Sequence, residues 1–330
     1  MLAQTLAPAE FEILVVKFVR DPELDSWLEG QRARVRTITD ETLPRLGQKL
    51  ALGIRLAHGE VVCFLEDDDR YLPDKLSTIA ERFRADPSLV YYRNRNLCID
   101  AAGRPLIGPY ARAANRELTI PSKGRDDLAT VDFIRHYGAE GNSSIALRRA
   151  RVLSNLDRLS RFSTSTDWLL FVTALSGEGT LVVGTRPLSE YRLHPSFSQG
   201  PTPGSRRLLG REIVDTSELL LEIAQGTRAE RAARFLRGRG SVNFYLIDPD
   251  SPRPSLEKLR DAAWPAWLRR EPGFAIQIGW CGLRWFAPHA TARAYWGYHQ
   301  RDADRQGWRV GGADPQGTPE GLAATGDSPR

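Results

Sequence analysis

The stretch that decides the fold is GIRLAHGEVVCFLEDDDRYLPDK, residues 53–75. The apolar run Val61–Leu65 predicts a buried strand, and four consecutive carboxylates, Glu66–Asp69, follow it directly. Pro73 then predicts the start of a helix, because the first turn of a helix does not need the N–H that proline lacks. Four like charges repel one another, so this position indicates a compensating cation or basic ligand.

The alternation of side chains along a strand predicts that Glu66 and Asp68 point one way and Asp67 and Asp69 the other, until the chain bends. Open α/β sheets bind their ligands at the carboxyl ends of strands, where these oxygens lie. The oxygens suit Mg²⁺ or Mn²⁺, and neither Cys nor His lies in the run to indicate zinc. The alternative is an acidic, solvated loop that only caps the next helix.

The pattern around the acidic run resembles the central part of the family 2 glycosyltransferases. Their GT-A fold is an α/β, Rossmann-like mixed sheet flanked by helices. In that family an acidic motif, DXD, holds a metal bound to the diphosphate of a nucleotide-sugar. The resemblance implies Mg²⁺ or Mn²⁺ as the cofactor and Glu66, Asp68 and Asp69 as metal ligands, with Glu66 in place of the usual Asp. It also implies that Asp67 lies near the donor diphosphate.

A second motif is Thr166-Asp167-Trp168. The apolar residues that follow recur at helical spacing, and on those grounds alone Asp167 would be a helix cap. In family 2 enzymes an Asp in this place, preceded by Glu in many members, supplies the catalytic base. The resemblance therefore implies Asp167 as the base, with Thr166 where Glu is common.

A third motif, PLSEYRLHPS at residues 187–196, follows a predicted strand, Leu181–Val183. It resembles the Tyr-Arg-x-His segment that closes the family's catalytic domain. The resemblance implies that His194 completes the metal shell and that Arg192 pairs with phosphate oxygens. The alternative for His194 is a structural hydrogen-bond donor at a strand end.

Lys49 lies on a helix predicted over Pro44–Ala57 and is a candidate contact to the donor phosphates; the alternative is a solvated surface lysine. The remaining elements alternate between strand and helix, which is typical of a doubly wound sheet. The predicted strands are Glu12–Val16, Arg34–Ile38 and Leu89–Arg93, and the predicted helices begin near Asp21, Pro73, Val131 and Arg148.

Some features depart from the family pattern. The segment that resembles the family's second strand is Phe11–Val16, so the resemblance implies that the first strand would precede Met1. Lys17-Phe18 replace an acidic pair used around the nucleotide, and Leu50-Ala51-Leu52 replace an Arg-Asn-x run before Gly53. The alternative function is therefore a catalytically impaired, glycosyltransferase-like binding or scaffold protein.

Composition and charge exclude some classes of protein but do not by themselves identify the function. The chain has 330 residues and a formal net charge of +5, and three cysteines without ligand spacing favour a reducing, cytoplasmic compartment. No secretory signal and no apolar run of about 18 residues is present in the sequence. A nucleic-acid-binding protein has only the basic charge in its favour, and a phosphotransferase would need a GxxxxGK loop that the chain lacks.

The predicted organisation is a catalytic domain over residues 1–199, a helical region over 200–310 and a disordered tail over 311–330. Residues 263–308 are rich in Trp and Arg. They would either rest on an anionic membrane at the inner face of the cytoplasmic membrane or pack the C-terminal helices onto the catalytic domain.

Together the three motifs imply an inverting, metal-assisted glycosyltransferase. It would move a sugar from a nucleotide-sugar donor to a hydroxyl of a glycan, lipid-linked, cell-envelope or secondary-metabolite acceptor. Asp167 would take the acceptor proton. The metal, with Arg192, would stabilise the leaving nucleoside diphosphate, and no covalent sugar–enzyme intermediate would form.

Overall fold

The computed structural model describes residues 1–31, 35–106, 116–193, 203–248, 250–265 and 273–305. Its strands are β1 (Ile13–Lys17), β2 (Val35–Thr39), β3 (Val61–Cys63), β4 (Arg70–Tyr71), β5 (Leu89–Ile99), β6 (Pro105–Leu106), β7 (Leu118–Ile120), β8 (Ile145–Arg148) and β9 (Thr180–Arg192). Its helices are α1 (Pro22–Gly30), α2 (Leu46–Leu56), α3 (Lys75–Ala85), α4 (Asp127–Arg135), α5 (Leu156–Leu159), α6 (Thr166–Ser176), α7 (Pro203–Ala224), α8 (Glu230–Ile247), α9 (Leu256–Ala262), α10 (Gly273–Phe286) and α11 (Pro288–Arg305).

Seven of the strands form one mixed sheet in the order β3-β8-β5-β9-β4, with β6 paired to β5 and β7 paired to β9. Its two long central strands, β5 and β9, run parallel, and the other pairs in this sheet are antiparallel. The fold is thus an α/β mixed sheet flanked by helices, as the resemblance implies. In contrast to a single doubly wound sheet, β1 and β2 form a separate parallel pair, because local alternation of strand and helix does not determine which strands hydrogen-bond.

Several predicted elements differ from the structure in extent. The strand predicted as buried over Val61–Leu65 ends at Cys63 and is only partly buried. The strands beginning at Leu89 and near Leu181 extend much further, to Ile99 and Arg192, because each is hydrogen-bonded to the other along its length. The tyrosine and arginine of the third motif therefore lie on β9 instead of behind a strand end. The helix predicted from Arg148 is divided into two 3₁₀ turns, Arg149–Arg151 and Leu153–Asn155, and the short helix α5. Arg148 itself ends β8, and its guanidinium donates to the carbonyls of Leu89 and Phe83.

The main hydrophobic core lies between the sheet and α6 and continues into the C-terminal helices α7 and α8. One cluster of buried residues contains Leu181 on β9 and Phe171 on α6 together with Leu220 on α7 and Phe235 on α8. Trp264 is buried in the same cluster, with its ring centroid 6.1 Å from that of Phe235. The C-terminal helices thus complete the core beneath the sheet.

The tryptophans of the C-terminal region have different surroundings. Trp264 is 7% exposed and Trp280 packs edge-on against Tyr295, whereas Trp285 is 60% exposed at the end of α10. Trp267 and Trp308, like the predicted tail, lie outside the described residues. Within the segments that the structure describes, we find no helix long and apolar enough to cross a membrane.

Candidate active site

The acidic run forms a tight turn, Glu66–Asp69, which we call the acidic turn. β3 ends at Cys63, and the backbone N–H of Asp69 donates to the carbonyl of Glu66 at 3.3 Å. The predicted alternation of these side chains is therefore wrong, because the chain already turns at Glu66 and is no longer extended. Asp69 is buried at 8% exposure and Asp67 is exposed.

Glu66 is held by a segment far away in sequence. Its side chain accepts a hydrogen bond from the Asn142 amide at 3.1 Å, and its backbone N–H donates to the Ser143 hydroxyl at 3.0 Å. Burial is the main reason why the pKa of Glu66 is raised to about 8; the Asn142 hydrogen bond lowers it, and the charges of the neighbouring aspartates contribute to the rise, Asp167 most. The carboxylates of the first and second motifs therefore lie close together, in a cluster that we call the acidic pocket.

Asp69 is the most deeply buried carboxylate of the acidic turn. One of its oxygens, Oδ1, accepts the backbone N–H of Arg192 at 2.9 Å. The other, Oδ2, is buried and has no hydrogen-bond partner among the described residues. Burial raises the pKa of Asp69 to about 6, although the Arg192 N–H and the nearby Ser143 hydroxyl both lower it. An unpaired, buried carboxylate oxygen is costly unless a cation or donor completes it.

Asp167 lies in the first turn of α6. Its Oδ1 accepts the N–H of Trp168 at 2.9 Å, which serves the helix start, and its Oδ2 accepts the N–H of Gly141 at 2.8 Å from another part of the chain. Burial raises the pKa of Asp167 to about 6, with a smaller contribution from Glu140. The residue before α6, Ser165, makes no side-chain cap hydrogen bond.

The residues that join the motifs were not singled out from the sequence. They are Gly141 and the 3₁₀ helix Asn142–Ser144 that follows it, and we call this segment the polar turn. Asn142 donates to Glu66 and to Thr166, while the backbone of Gly141 donates to Asp167. Gly141 has φ of +83°, a backbone conformation that favours glycine. The sequence signal was this glycine followed by three small polar residues, Asn-Ser-Ser, before an apolar strand.

The third motif meets the same pocket from β9. Burial raises the pKa of Tyr191, and the next causes are the negative charges of Asp69, Glu66, Asp68 and Asp167. The Tyr191 phenol thus lies close to all of the acidic side chains of the pocket and was not among the predicted site residues.

The Arg192 side chain is used inside the protein. Its Nε donates to the carbonyl of Asp68 at 2.7 Å, and its Nη1 donates to the carbonyls of Asp100 and Ala101, each at 2.9 Å. These bonds tie the acidic turn to the end of β5. Arg192 therefore supports the acidic turn through these bonds, and its predicted contact with phosphate oxygens stays a prediction. His194, the predicted metal ligand, lies outside the described residues.

Lys49 and Asp67 are the remaining predicted donor contacts. The Lys49 ammonium lies over the ring of Phe18, 4.7 Å from its centroid. Asp67 is exposed at the tip of the acidic turn. The structure thus brings together Glu66, Asp69 and Asp167, with Asp68 beside them, and occupies Lys49 with an aromatic ring.

The pocket fits a hard divalent cation as a partial ligand set. Within the described residues, no three His, Cys, Asp or Glu side chains form a complete metal site. The acidic turn nevertheless presents two carboxylates with raised pKa values, Glu66 and Asp69, and the unpaired oxygen Asp69 Oδ2. Mg²⁺ is commonly held by one or two carboxylates, with waters and substrate phosphates in the other positions. The residues present suit such a site.

Comparison with known proteins gives one match by sequence family and several by fold. Residues 4–108 match the family model described as Glycosyl transferase family 2, which confirms the resemblance over the first third of the chain. No functionally curated protein matches the chain by sequence.

Two solved structures show the fold. S. aureus TarS is 16% identical and has a TM-score of 0.50; the match covers 84% of this chain and 45% of TarS, so the chain spans less than half of that protein. Residues 1–349 of TarS in complex with UDP-GlcNAc are 14% identical, with a TM-score of 0.50 and coverage of 86% and 85%. The chain therefore shares its fold with these structures. Residues 4–108 are similar in sequence to glycosyl transferase family 2.

Proposed function

We propose that the protein is an inverting glycosyltransferase that moves a sugar from a nucleotide-sugar donor to an acceptor hydroxyl. The observation that carries the proposal is that a single segment, the polar turn, hydrogen-bonds both Glu66 and Asp167. A carboxylate beside a donor diphosphate site and a carboxylate able to take a proton are the two groups that inverting transfer needs. Glu66 and Asp167 are about a hundred residues apart in the sequence, and the fold brings both of them to the polar turn.

Asp167 would be the catalytic base. Its two backbone hydrogen bonds fix the carboxylate, and a pKa of about 6 leaves it ionised at neutral pH. It would accept the proton of the acceptor hydroxyl as the hydroxyl oxygen forms a bond to the anomeric carbon. The bond from that carbon to the diphosphate oxygen breaks on the opposite face, so the configuration inverts without a covalent intermediate.

Glu66, Asp68 and Asp69 would hold Mg²⁺ or Mn²⁺ together with the donor diphosphate. Bound there, the cation would supply positive charge to the leaving nucleoside diphosphate. The acidic turn itself supplies oxygen ligands on a short loop closed by the Asp69 N–H and tied down by Arg192. His194 would complete this set, as would the donor's own phosphate oxygens.

The test is thermal unfolding with Mn²⁺ and a panel of nucleoside diphosphates. A ligand that binds only the folded state raises the midpoint, so a working donor site should give a rise that requires Mn²⁺. The rise should disappear in Glu66→Ala and Asp68→Ala and persist in Glu60→Ala, whose side chain is 90% exposed at the opposite end of β3. The nucleotide that gives the rise would identify the base of the donor.

The rival function is a glycosyltransferase-like scaffold without donor binding. The observation in its favour is Lys17, which stands where the family has an acidic pair and is ion-paired with Asp25. This alternative predicts no rise of the midpoint with any nucleotide. Such a result would overturn the proposed transfer reaction.

We also propose that the end of α10 contacts an anionic membrane surface, where a lipid-linked acceptor would be met. Leu283, Trp285 and Phe286 are 58%, 60% and 88% exposed there, and the Arg253 guanidinium lies 4.8 Å from the centroid of the Trp285 ring. The chain should sediment with phosphatidylglycerol vesicles and not with phosphatidylcholine vesicles. Replacing both aromatic residues by serine should abolish this, and unchanged sedimentation would contradict the proposal.

A further inference from the structure

Lys75 is an unusual residue for its position. It is the first residue of α3 and is completely buried, with 0% of its surface exposed. Its ammonium donates to three oxygens, and none of them belongs to a carboxylate. They are the Asn94 side chain at 2.9 Å, the Ser189 hydroxyl at 2.9 Å and the Ser143 carbonyl at 2.6 Å. The ring of Tyr71 covers the ammonium at 4.0 Å.

Burying an ammonium whose hydrogen-bond partners are all neutral is unfavourable. Burial is the main reason why the pKa of Lys75 is lowered to about 7; the charge of Arg93 also lowers it, and Cys63 and Asp69 act in the opposite direction. An apolar side chain of similar length would avoid that cost if the position served only to fill space. The lysine therefore points to a use for its donors, and the most direct of them is the short contact with Ser143.

Ser143 belongs to the polar turn. Its carbonyl accepts from the Lys75 ammonium and from the Ser189 hydroxyl, while its own hydroxyl accepts the N–H of Glu66. The residues on its N-terminal side carry the donors to Glu66 and Asp167. The hydrogen bonds of the polar turn to the carboxylates of Glu66 and Asp167 thus come from the two residues before Ser143. The buried Lys75 ammonium binds the carbonyl of Ser143 itself.

We propose that Lys75 is a positioning residue of the active site, whose ammonium fixes the polar turn through Ser143. It acts through that turn, without touching the donor or the acceptor. The role of Lys75 in sugar transfer rests on the proposed function. The contacts from which we infer that Lys75 positions the polar turn involve no ligand. Ser189 is the secondary support, because its hydroxyl donates to the same carbonyl at 2.7 Å.

The first test is binding of Mn²⁺ in the presence of UDP or GDP, followed by the loss of the free Mn²⁺ signal in electron paramagnetic resonance. Groups that orient metal ligands typically change metal affinity about 10–100-fold. Lys75→Met should weaken binding at least about tenfold at a temperature where the variant is folded. Ser189→Ala should weaken it less, since the Lys75 contact remains.

The matched control is Ile79→Ala, one turn further along α3. Ile79 is 2% exposed and packs in a hydrophobic cluster with Phe83 and Tyr92, which contains none of the acidic residues. Truncating its side chain should therefore lower the thermal midpoint and leave Mn²⁺ binding unchanged. A merely structural role for Lys75 would give the same pattern as Ile79→Ala. Unchanged affinity in Lys75→Met, with wild-type binding intact, would overturn the proposal.

The second test needs no ligand. Amide hydrogen exchange at Glu66 and Gly141, whose N–H groups bond to Ser143 and Asp167, should accelerate in Lys75→Met relative to a core amide such as that of Tyr91. In Ile79→Ala all of these amides should accelerate together. If the wild type binds no Mn²⁺, the proposed function fails, and amide hydrogen exchange alone then tests the role of Lys75. Equal acceleration of exchange in Lys75→Met and Ile79→Ala would reject the positioning role of Lys75.

Discussion

At the residue scale, the two carboxylate oxygens of Asp167 bond to different parts of the chain. One carboxylate oxygen serves the first turn of α6 through Trp168, and the other reaches Gly141 on the polar turn. A contact within the first turn of α6 and the proposed role of catalytic base are therefore compatible, because the two oxygens face different parts of the chain. The same burial that fixes the side chain raises its pKa to about 6.

Asp167→Asn should retain the fold and donor binding but lose transfer. The amide has nearly the same shape and can still accept a backbone N–H, whereas it cannot take the acceptor proton. Loss of a general base typically costs about 10²–10⁴-fold in rate. The measurement is turnover of the donor identified by the nucleotide panel, with its Mn²⁺-dependent affinity as the control. Transfer within a few-fold of wild type would exclude Asp167 as the base.

The transfer rate should depend on pH through Asp167. The base works only when ionised, so the rate should rise as pH rises through about 6 and then level off. Stability should change in the opposite sense: the pKa in the folded state exceeds the ordinary value of 3.8, so the folded state binds more protons and loses stability as pH rises from about 4 to about 6. In Asp167→Asn this contribution to the denaturation profile should be absent, and a profile identical to wild type would contradict it.

At the scale of elements, α2 carries two glycines with opposite meanings. A Cβ on Gly47 would lie 1.9 Å from the Leu159 carbonyl oxygen and 2.8 Å from that of Phe162. The Gly47 N–H also donates to the Phe162 carbonyl at 2.9 Å. The helix therefore approaches the segment before α6 backbone to backbone. Gly53 has ordinary space, because a Cβ there would meet only Val16 Cγ2, at 3.5 Å.

Gly47→Ala should destabilise the protein by about 1–3 kcal/mol or more, because the helix must move away from backbone that cannot yield. Gly53→Ala should instead stabilise it by up to about 1 kcal/mol, since alanine is the better helix former. Chemical denaturation of the two variants measures both. Equal effects of the two substitutions would mean that α2 does not pack closely against the 159–162 backbone.

At the scale of the whole molecule, the sheet and the C-terminal helices share one core. Leu220 on α7 is 3% exposed and belongs to the same cluster as Tyr91 on β5 and Leu170 on α6. The Arg228 guanidinium adds polar links, since it donates to carbonyls of Leu175 and Gly179. The candidate site therefore depends on helices that contribute no residue to it.

Leu220→Ala should destabilise the entire chain by about 2–5 kcal/mol and keep a single unfolding transition. Tryptophan fluorescence and far-ultraviolet circular dichroism should give the same midpoint. Leu208→Ala on the same helix should change stability by no more than about 0.5 kcal/mol, because Leu208 is 57% exposed. Two separate transitions would show that the helices and the sheet unfold independently.

Local sequence was enough for several features. The Val61–Cys63 strand, the capped start of α1 at Asp21 and the helix that carries Asp167 follow from apolar spacing and capping residues. The acidic run after a strand and its resemblance to family 2 indicated the class of protein. These features depend on neighbours within a few residues, which is the range over which propensity and periodicity act.

Tertiary structure alone decided how the parts meet. The pairing of β5 with β9 lengthened both strands, and the turn at Glu66 replaced the expected alternation. The polar turn and Lys75 were not predicted as site residues, because their role comes from contacts 68 and 76 positions apart in sequence. Periodicity carries no information about such contacts, since hydrogen bonds between distant segments form only when the sheet has brought them together.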